Sequence, residues 1–163
     1  MSSALEQLIG QTLKGAYQLE SLLGLGGMGA VFKAVQLVVD REVAVKVLRP
    51  MPDASPEMIE QMQARFRREA TLTAKLQHPN TVQLIDFGAT DEGMLYLVLE
   101  YLKGQELSRA MHTLQGPMDP ARAAHIGQQI CLSLAEAHEN GLIHRDLKPT
   151  TSSWPATMAP LTT

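Results

Sequence analysis

The sequence predicts an α+β protein in two unequal parts, and three observations lead to that prediction. Short β-branched runs separated by glycines fill most of the first hundred residues, a pattern typical of strands joined by turns. One stretch with helical periodicity interrupts these runs. Beyond Gly104 the pattern is helical as far as Gly141. We therefore expect five strands with one inserted helix, followed by a helical part.

Composition narrows the classes of function. Of the 163 residues, 45% are hydrophobic and 19% are charged, which is typical of a globular chain. A net charge of −3 without a Lys/Arg-rich block argues against a nucleic-acid partner. A single cysteine, Cys131, cannot form an internal disulfide framework, so we expect a reducing, cytoplasmic location. We expect Cys131 to lie in a helix core, and no segment is apolar for long enough to span a membrane.

The first strands follow an unpatterned lead-in over residues 1–15. From Tyr17 to Leu48 the chain reads as strands, including the runs "LVVD" and "REVAVKVL". Side chains alternate between the two faces of a strand. The valines at 43, 45 and 47 should therefore face one side, and Ala44 and Lys46 should face the other.

The inserted helix has clear start and stop signals. Ser55 can cap it, Pro56 suits its first position, and the "HPN" segment at 78–80 ends it. Glu69 lies three residues after Phe66 and so continues the apolar face of this helix. The segments "TVQLIDF" and "MLYLVLEYL" then predict a hairpin around "GATDEG".

Two helices are predicted in the second part. "QELSRAMHTL" is short, and "DPARAAHIGQQICLSLAEAHEN" is long, with Asp119 as its cap and Asn140-Gly141 at its end. His144 and His78 are interpreted as structural residues that pack their loops.

The glycine pattern Gly24-x-Gly26-x-x-Gly29-x-Val31 allows three interpretations. A dinucleotide-binding fold requires a helix to begin at these glycines. Here the following segment "AVFKAVQLVV" reads as a strand, which favours a hairpin whose backbone can approach phosphates because no Cβ intervenes. Because a strand and not a helix is predicted after the glycines, a dinucleotide-binding oxidoreductase is poorly supported. An ordinary structural turn is the third possibility.

Lys46 and Glu69 are candidates for a paired site. A lysine that points toward the glycine hairpin, beside the small Ala44, suits a phosphate anchor below a flat ring. A carboxylate on an apolar helix face is costly unless it is paired, and a Lys46–Glu69 pair would satisfy both charges. The alternatives are a lysine that extends from an edge strand into water and a rotated helix with a solvated Glu69.

The segment "HRDLKP" at 144–149 is the most specific signal. Asp146 can accept the proton of an attacking hydroxyl, and Lys148 can neutralise a phosphate during its transfer.

These motifs occur in the order and spacing of a known family. The glycine hairpin, "VAVK", "FRREA", "HPN", "LVLEYLKG" and "HRDLKP" together resemble the first part of a bacterial protein serine/threonine kinase of the Hanks type. The resemblance implies a kinase-like fold in which residues 16–102 form an ATP-binding N-lobe, a five-stranded antiparallel sheet with one helix. Residues 103–149 would form the first helices of an incomplete α-helical C-lobe, ending in the catalytic loop. Residues 150–163 would be an aberrant, disordered tail.

The resemblance also implies ATP and Mg²⁺ as cofactors and protein Ser/Thr hydroxyls as substrates. Asp146 would be the catalytic base, Lys148 would contact the γ-phosphate, and Lys46 would hold the α- and β-phosphates while paired with Glu69. Leu99 would lie behind the adenine, and the main chain of Glu100 and Leu102 would hydrogen-bond it. The remaining nucleotide-binding positions would be Leu23, Gly24, Gly26, Gly29, Val31 and Ala44.

Three features depart from the family pattern. The triplet "DFG" at 86–88 lies far before the catalytic loop, so we interpret it as a strand that ends in a turn and not as a metal site. Thr151 occupies the position of a metal-binding Asn, and no DFG follows Pro149, so no residue here is assigned as a metal ligand. We hypothesise that residues 150–163 are an out-of-frame reading of a complete kinase gene; a genuine flexible tail is the alternative.

These departures predict that phosphoryl transfer by this chain is lost or very weak. The alternative function is a non-catalytic module, a pseudokinase, that binds nucleotide or docks a partner. Ile126, Ile130 and Leu134 would ordinarily pack against helices that are not encoded here. We therefore expect them to form an exposed apolar face through which the chain could associate.

Overall fold

A computed structural model describes residues 5–26, 29–48, 55–114, 116–144, 147–149, 152–154 and 157–158. The chain divides into two compact units. Unit 1 contains residues 1–70 and 84–101, and unit 2 contains residues 71–83 and 102–163. The division near residue 102 agrees with the predicted change from strands to helices. The loop that follows the inserted helix groups with the helical unit.

Unit 1 is built on a six-stranded antiparallel sheet in the order β1-β2-β3-β4-β6-β5. Five of these strands were predicted, and the sixth is a two-residue strand in the lead-in. The strands are β1 (Thr12–Leu13), β2 (Tyr17–Gly26), β3 (Gly29–Gln36), β4 (Arg41–Leu48), β5 (Leu84–Ala89) and β6 (Leu95–Glu100).

One face of this sheet forms the core of unit 1. Val43, Val45 and Val47 are fully buried, whereas Ala44 and Lys46 between them are half-buried. The predicted alternation along β4 is therefore confirmed. The core also contains Leu5, Leu8, Leu13, Tyr17, Leu19, Ala30, Phe32, Ala34, Tyr96 and Val98.

The lead-in is part of this core, which the sequence did not indicate. Leu5, Leu8 and Leu13 are each at most 7% exposed. A short 3₁₀ helix, Glu6–Leu8, and strand β1 position these three leucines. The chain forms only one 3₁₀ turn, followed by Gly10 with a φ of +86° and the two-residue strand β1, so no regular element of sufficient length marks these leucines in the sequence.

The run "LVVD" at 37–40 is a turn and not a strand, so that prediction is wrong. Gln36 pairs with Arg41, which leaves these four residues to close the β3–β4 hairpin. Asp40 has a φ of +48°, and Val38 is 83% exposed. The hairpin register thus overrides the strand propensity of the valines.

The inserted helix α1 spans Pro56–Thr73. Its start agrees with the predicted capping signals, but it ends at Thr73, before the HPN segment at 78–80 that was expected to end it. The backbone N–H of Met58 donates to Ser55 Oγ at 3.3 Å. Phe66 and Ala70 are buried. The Phe66 ring meets the ring of Phe87 edge-on, with centroids 6.2 Å apart. This contact attaches α1 to strand β5 within unit 1.

Unit 2 contains helices α2 (Leu107–His112) and α3 (Pro120–Glu139). The Asp119 side chain caps α3 by accepting the backbone N–H of Arg122 at 2.9 Å. Gly141, just beyond the helix, has a φ of +77°, as a C-terminal glycine signal predicts. Among the described residues, no helix has the length and apolar character needed to cross a membrane.

Two predictions about α3 are wrong. Cys131 is exposed and does not lie in a core. Ile126 is buried, and Ile130 and Leu134 are half-buried, so these three do not form an exposed apolar face. Leu132 is 47% exposed instead. Ser133 and Ala137 are also buried, and Ala137 packs with Leu76 and Leu142, so this side of the helix is covered by residues of the same unit.

The loop after α1 is held by α3. The Glu136 carboxylate accepts the backbone N–H groups of Gln77 at 2.9 Å and His78 at 3.0 Å. The buried hydroxyls of Thr81 and Ser133 are 2.5 Å apart. His78 Nδ1 accepts the N–H of Asn80 at 3.2 Å, which agrees with its predicted structural role.

Five residues of the C-terminal segment 150–163 form two short strands. Strand β7 (Gln105–Glu106) pairs with β8 (Ser152–Trp154), and β8 pairs with β9 (Thr157–Met158). Strand pairing uses main-chain groups, so a tail rich in Thr and Ser can form it without apolar periodicity. The disorder of the tail as a whole stays a prediction.

Candidate active site

The candidate phosphate-binding positions lie in one row across the sheet of unit 1. Gly24 pairs with Val31, Val31 with Lys46, Lys46 with Leu97, and Leu97 with Phe87. Directly opposite residues of antiparallel strands project to the same face. The glycine hairpin and Lys46 therefore share a face, opposite the valine core.

The neighbouring row contains the predicted adenine positions. Ala44 pairs with Leu99 on β6 and with Lys33 on β3. Leu99 is 3% exposed, while Ala44 and the following Glu100 are half-buried. The small Ala44 thus lies beside the large, buried Leu99, in the row next to that of Lys46. Because the side chain of Ala44 is short, there is room above it for a flat ring.

The glycines of the motif differ in their surroundings. Gly29 has a φ of +151°, and a Cβ placed there would overlap the carbonyl oxygen of Val47. A Cβ on Gly24 would meet nothing within 4 Å. Gly29 is thus required by the packing of β3 on β4, whereas Gly24 leaves open space. Gly26 is the last residue of β2. Leu23, which precedes Gly24, is 48% exposed.

Lys46 lies in a partly desolvated position. Burial lowers the pKa of its ammonium from the ordinary value of 10.5, and the charge of Glu69 acts in the opposite direction. Val31, opposite Lys46 in the row, is also half-buried. A cation held among partly buried side chains gains from an anionic ligand that replaces the lost water.

Glu69 lies on the predicted face of α1 but makes its contact ion pair with Arg65. Arg65 Nε donates to Glu69 Oε1 at 2.9 Å. The side chain of Glu69 is 32% exposed, and that of Arg65 is 66% exposed. Burial lowers the pKa of Lys46, and the negative charge of Glu69 acts to raise it without a contact ion pair. The direct Lys46–Glu69 pair stays a prediction. The i,i+4 spacing of Arg65 and Glu69 is a sequence signal that could have revealed the competing pair.

The early DFG triplet lies within strand β5, as predicted, and each of its residues has a structural contact. Asp86 accepts the hydroxyl of Tyr17 at 2.8 Å and the backbone N–H of Phe87 at 2.8 Å. A Cβ on Gly88 would lie 2.8 Å from the hydroxyl of Tyr96. Burial, followed by the bond to Asp86, raises the pKa of Tyr17 to about 12.

The catalytic-loop positions belong to unit 2. His144 is 3% exposed, in agreement with its predicted structural role. Lys148 is exposed, Leu102 is half-buried, and the carbonyl of Pro149 accepts the N–H of Ser108 at 3.0 Å. Asp146 and Thr151 lie outside the described residues. Within the described part of the chain, no group of three His, Cys, Asp or Glu residues is arranged to hold a metal ion.

Comparison with known proteins identifies the class. Residues 17–151 match the family model described as the protein kinase domain. That match covers most of the chain, so the protein belongs to the protein kinase family.

The similar curated proteins are bacterial serine/threonine-protein kinases. The chain is 40% identical over 144 residues to pkn3 of Myxococcus xanthus, which covers 88% of this chain and 25% of that protein. It is 42% identical over 142 residues to PrkC of Bacillus subtilis, covering 87% and 21%. It is 44% identical over 140 residues to PknB of Mycobacterium tuberculosis, covering 84% and 22%. The chain thus spans a quarter or less of the length of these relatives.

A solved structure confirms the kinase-like fold. The crystal structure of the PknI kinase domain of Mycobacterium tuberculosis superimposes with a TM-score of 0.75 at 27% sequence identity. The match covers 94% of this chain and 61% of that kinase domain. The expected bacterial serine/threonine kinase family and its α+β fold are therefore confirmed.

Proposed function

We propose that this chain binds ATP on the sheet face of unit 1 and that its family reaction is phosphoryl transfer to Ser or Thr hydroxyls of proteins. The observation that supports the proposal most is the single row containing the open Gly24 position and the partly desolvated Lys46. A glycine with open space beside a partly desolvated cation on the same face is suited to a triphosphate. Because ATP is available inside cells, we also propose a cytoplasmic location.

Each proposed residue has a distinct task. Lys46 neutralises the α- and β-phosphates, and Glu69 orients its ammonium. Ala44 and Leu99 flank the adenine, and the main chain of Glu100 and Leu102 binds its edge. Leu23, Gly24, Gly26, Gly29 and Val31 form the hairpin over the nucleotide.

The transfer step depends on the segment at 144–149. Asp146 accepts the proton of the attacking hydroxyl as its oxygen bonds to the γ-phosphorus. Lys148 stabilises the charge on the transferring phosphoryl group, while ADP departs with the electrons of the broken P–O bond.

The residues of this chain do not fit the Mg²⁺ that the family uses. Thr151 offers a neutral hydroxyl where the family has an Asn, and none of residues 147–163 is an Asp, Glu or Asn. Mg²⁺ requires carboxylate ligands in addition to phosphate oxygens. We therefore propose that this polypeptide transfers phosphate very weakly.

The experiment is ATP titration by calorimetry, with Lys46→Met beside the matched control Lys75→Met. Lys75 is an exposed lysine of unit 2. Losing a charge-assisted phosphate contact should weaken ATP binding about ten- to hundredfold in K46M, and K75M should bind like the wild type. Equal ATP affinity in K46M and wild type would contradict the proposal.

The second candidate is a non-catalytic nucleotide-binding module, favoured by the Arg65–Glu69 pair and by Thr151. Phosphate incorporation from γ-labelled ATP into an acceptor protein separates the two functions. Incorporation that disappears in Asp146→Asn indicates a kinase, whereas ATP binding without incorporation indicates the module. We expect ATP binding to change little with Mg²⁺, and a strong Mg²⁺ dependence would show that metal ligands are present.

A further inference from the structure

We propose that Arg65 is a positioning residue that determines how firmly Glu69 holds Lys46, and hence how well Lys46 is prepared to bind phosphate. This inference rests on the ATP-binding function proposed above. It assigns a role to a residue outside the family motifs. Arg65 acts through Glu69 and does not contact the nucleotide.

The contact between Arg65 and Glu69 is direct. The two residues are separated by one helical turn, and Arg65 Nε donates to Glu69 Oε1 at 2.9 Å. Because Arg65 is 66% exposed and Glu69 is 32% exposed, the pair draws the carboxylate toward the solvent side of α1.

The docking of α1 brings the same carboxylate near Lys46. Phe66 packs edge-on against Phe87, and the row across the sheet continues from Phe87 through Leu97 to Lys46. Glu69 follows Phe66 by one turn on the same helix face, so it lies over this row. At this position the charge of Glu69 opposes the lowering of the Lys46 pKa by burial.

The Glu69 carboxylate therefore lies between two cations, Arg65 and Lys46, that differ in their exposure to water. Arg65 is hydrated, whereas Lys46 is partly desolvated and lacks a contact ion pair among the described residues. A contact with Glu69 would restrict the flexible four-carbon stem of Lys46 and prepare the ammonium for a phosphate. Arg65 competes with that contact.

The test compares Arg65→Ala with Arg68→Ala. Both changes remove one arginine from the same exposed side of α1, and Arg68 projects about 100° away from Glu69 around the helix. The pKa of Lys46 is measured from the pH dependence of its 13Cε resonance, assigned by its loss in Lys46→Arg. ATP affinity is measured by calorimetry on the same samples.

We expect R65A to raise the pKa of Lys46 and to tighten ATP binding about twofold, which matches the strength of an exposed i,i+4 pair. R68A should change both quantities less, and the effect of R65A should disappear in a Glu69→Gln background. Retention of the effect with Gln at position 69, or equal effects of R65A and R68A, would overturn the positioning role.

The two readouts separate this inference from the proposed function. A rise in the pKa of Lys46 in R65A without any ATP binding supports the positioning role and refutes ATP binding. ATP binding by the wild type, with the pKa of Lys46 unchanged in R65A, supports the function and refutes the role of Arg65.

Discussion

Strands β4 and β5 belong to the same sheet, and each carries a charged residue within a kinase-like motif, yet the two charges have different surroundings. Asp86 on β5 accepts two hydrogen bonds from protein groups. Lys46 on β4 is partly desolvated and interacts with Glu69 only through its field. A charge that is satisfied within the protein indicates a structural role. A desolvated charge without a close counter-ion indicates a ligand site.

The largest expected effect concerns the backbone beside Lys46. In Gly29→Ala, the new Cβ would clash with the Val47 carbonyl, and the residue would keep a φ of +151°. We expect the free energy of unfolding to fall by roughly 2–4 kcal/mol. Gly24→Ala has open space and should unfold like the wild type in urea. Equal stability of the two variants would show that β4 does not require this glycine.

The next effect tests the structural role of Asp86. Asp86→Ala leaves the buried hydroxyl of Tyr17 without its acceptor, so stability should fall by about 1–3 kcal/mol. ATP affinity should be unchanged, because Asp86 lies outside the proposed site. Asp86→Asn keeps an acceptor oxygen and should lose less stability. A loss of ATP binding in D86N would contradict the assignment of a structural role to Asp86 and a ligand-binding role to Lys46.

Alkaline unfolding tests the burial of Tyr17 together with its hydrogen bond to Asp86. The pKa of Tyr17 is raised to about 12 in the folded state, above the unfolded value near 10. Folding therefore favours the neutral phenol, and its contribution to stability is complete below about pH 10 and is lost as the pH rises toward about 12. Tyr17→Phe should remove that part of the stability loss, measured by urea unfolding at about pH 9, 10 and 11. An unchanged slope would contradict the assignment.

The smallest expected effect concerns an exposed ion pair, and it tests whether pairing without burial contributes to stability. Lys14 Nζ lies 2.6 Å from Asp91 Oδ1, but both side chains are largely exposed. Exposed pairs are screened by water and salt. Lys14→Ala should therefore leave the melting temperature almost unchanged at physiological salt. A large decrease in the melting temperature would mean that an ion pair can stabilise the fold without being buried.

Local patterns predicted much of unit 1. The alternation of Val43, Val45 and Val47 with Lys46 followed from strand geometry. The start of α1 followed from its capping residues, although its end at Thr73 did not, and the position of the early DFG identified it as structural. Each of these features depends on neighbours within a few residues, which a single sequence displays directly.

The features that were missed depend on tertiary contacts. The burial of Leu5 and the exposure of Cys131 are determined by distant packing partners, and the turn at 37–40 is determined by hairpin register. The pairing of β8 uses the main chain and leaves no side-chain signal. The Arg65–Glu69 pair was readable from its spacing, but the family resemblance directed attention to Lys46 instead.

The buried leucines of the lead-in affect how the protein should be shortened for experiments. The match to the kinase family begins at residue 17, and a clone designed from that match would begin there. Such a polypeptide would lack Leu5, Leu8 and Leu13, and the core residues that pack with them would lose these contacts. Poor yield from that shorter clone would then reflect a damaged scaffold and would reveal nothing about nucleotide binding.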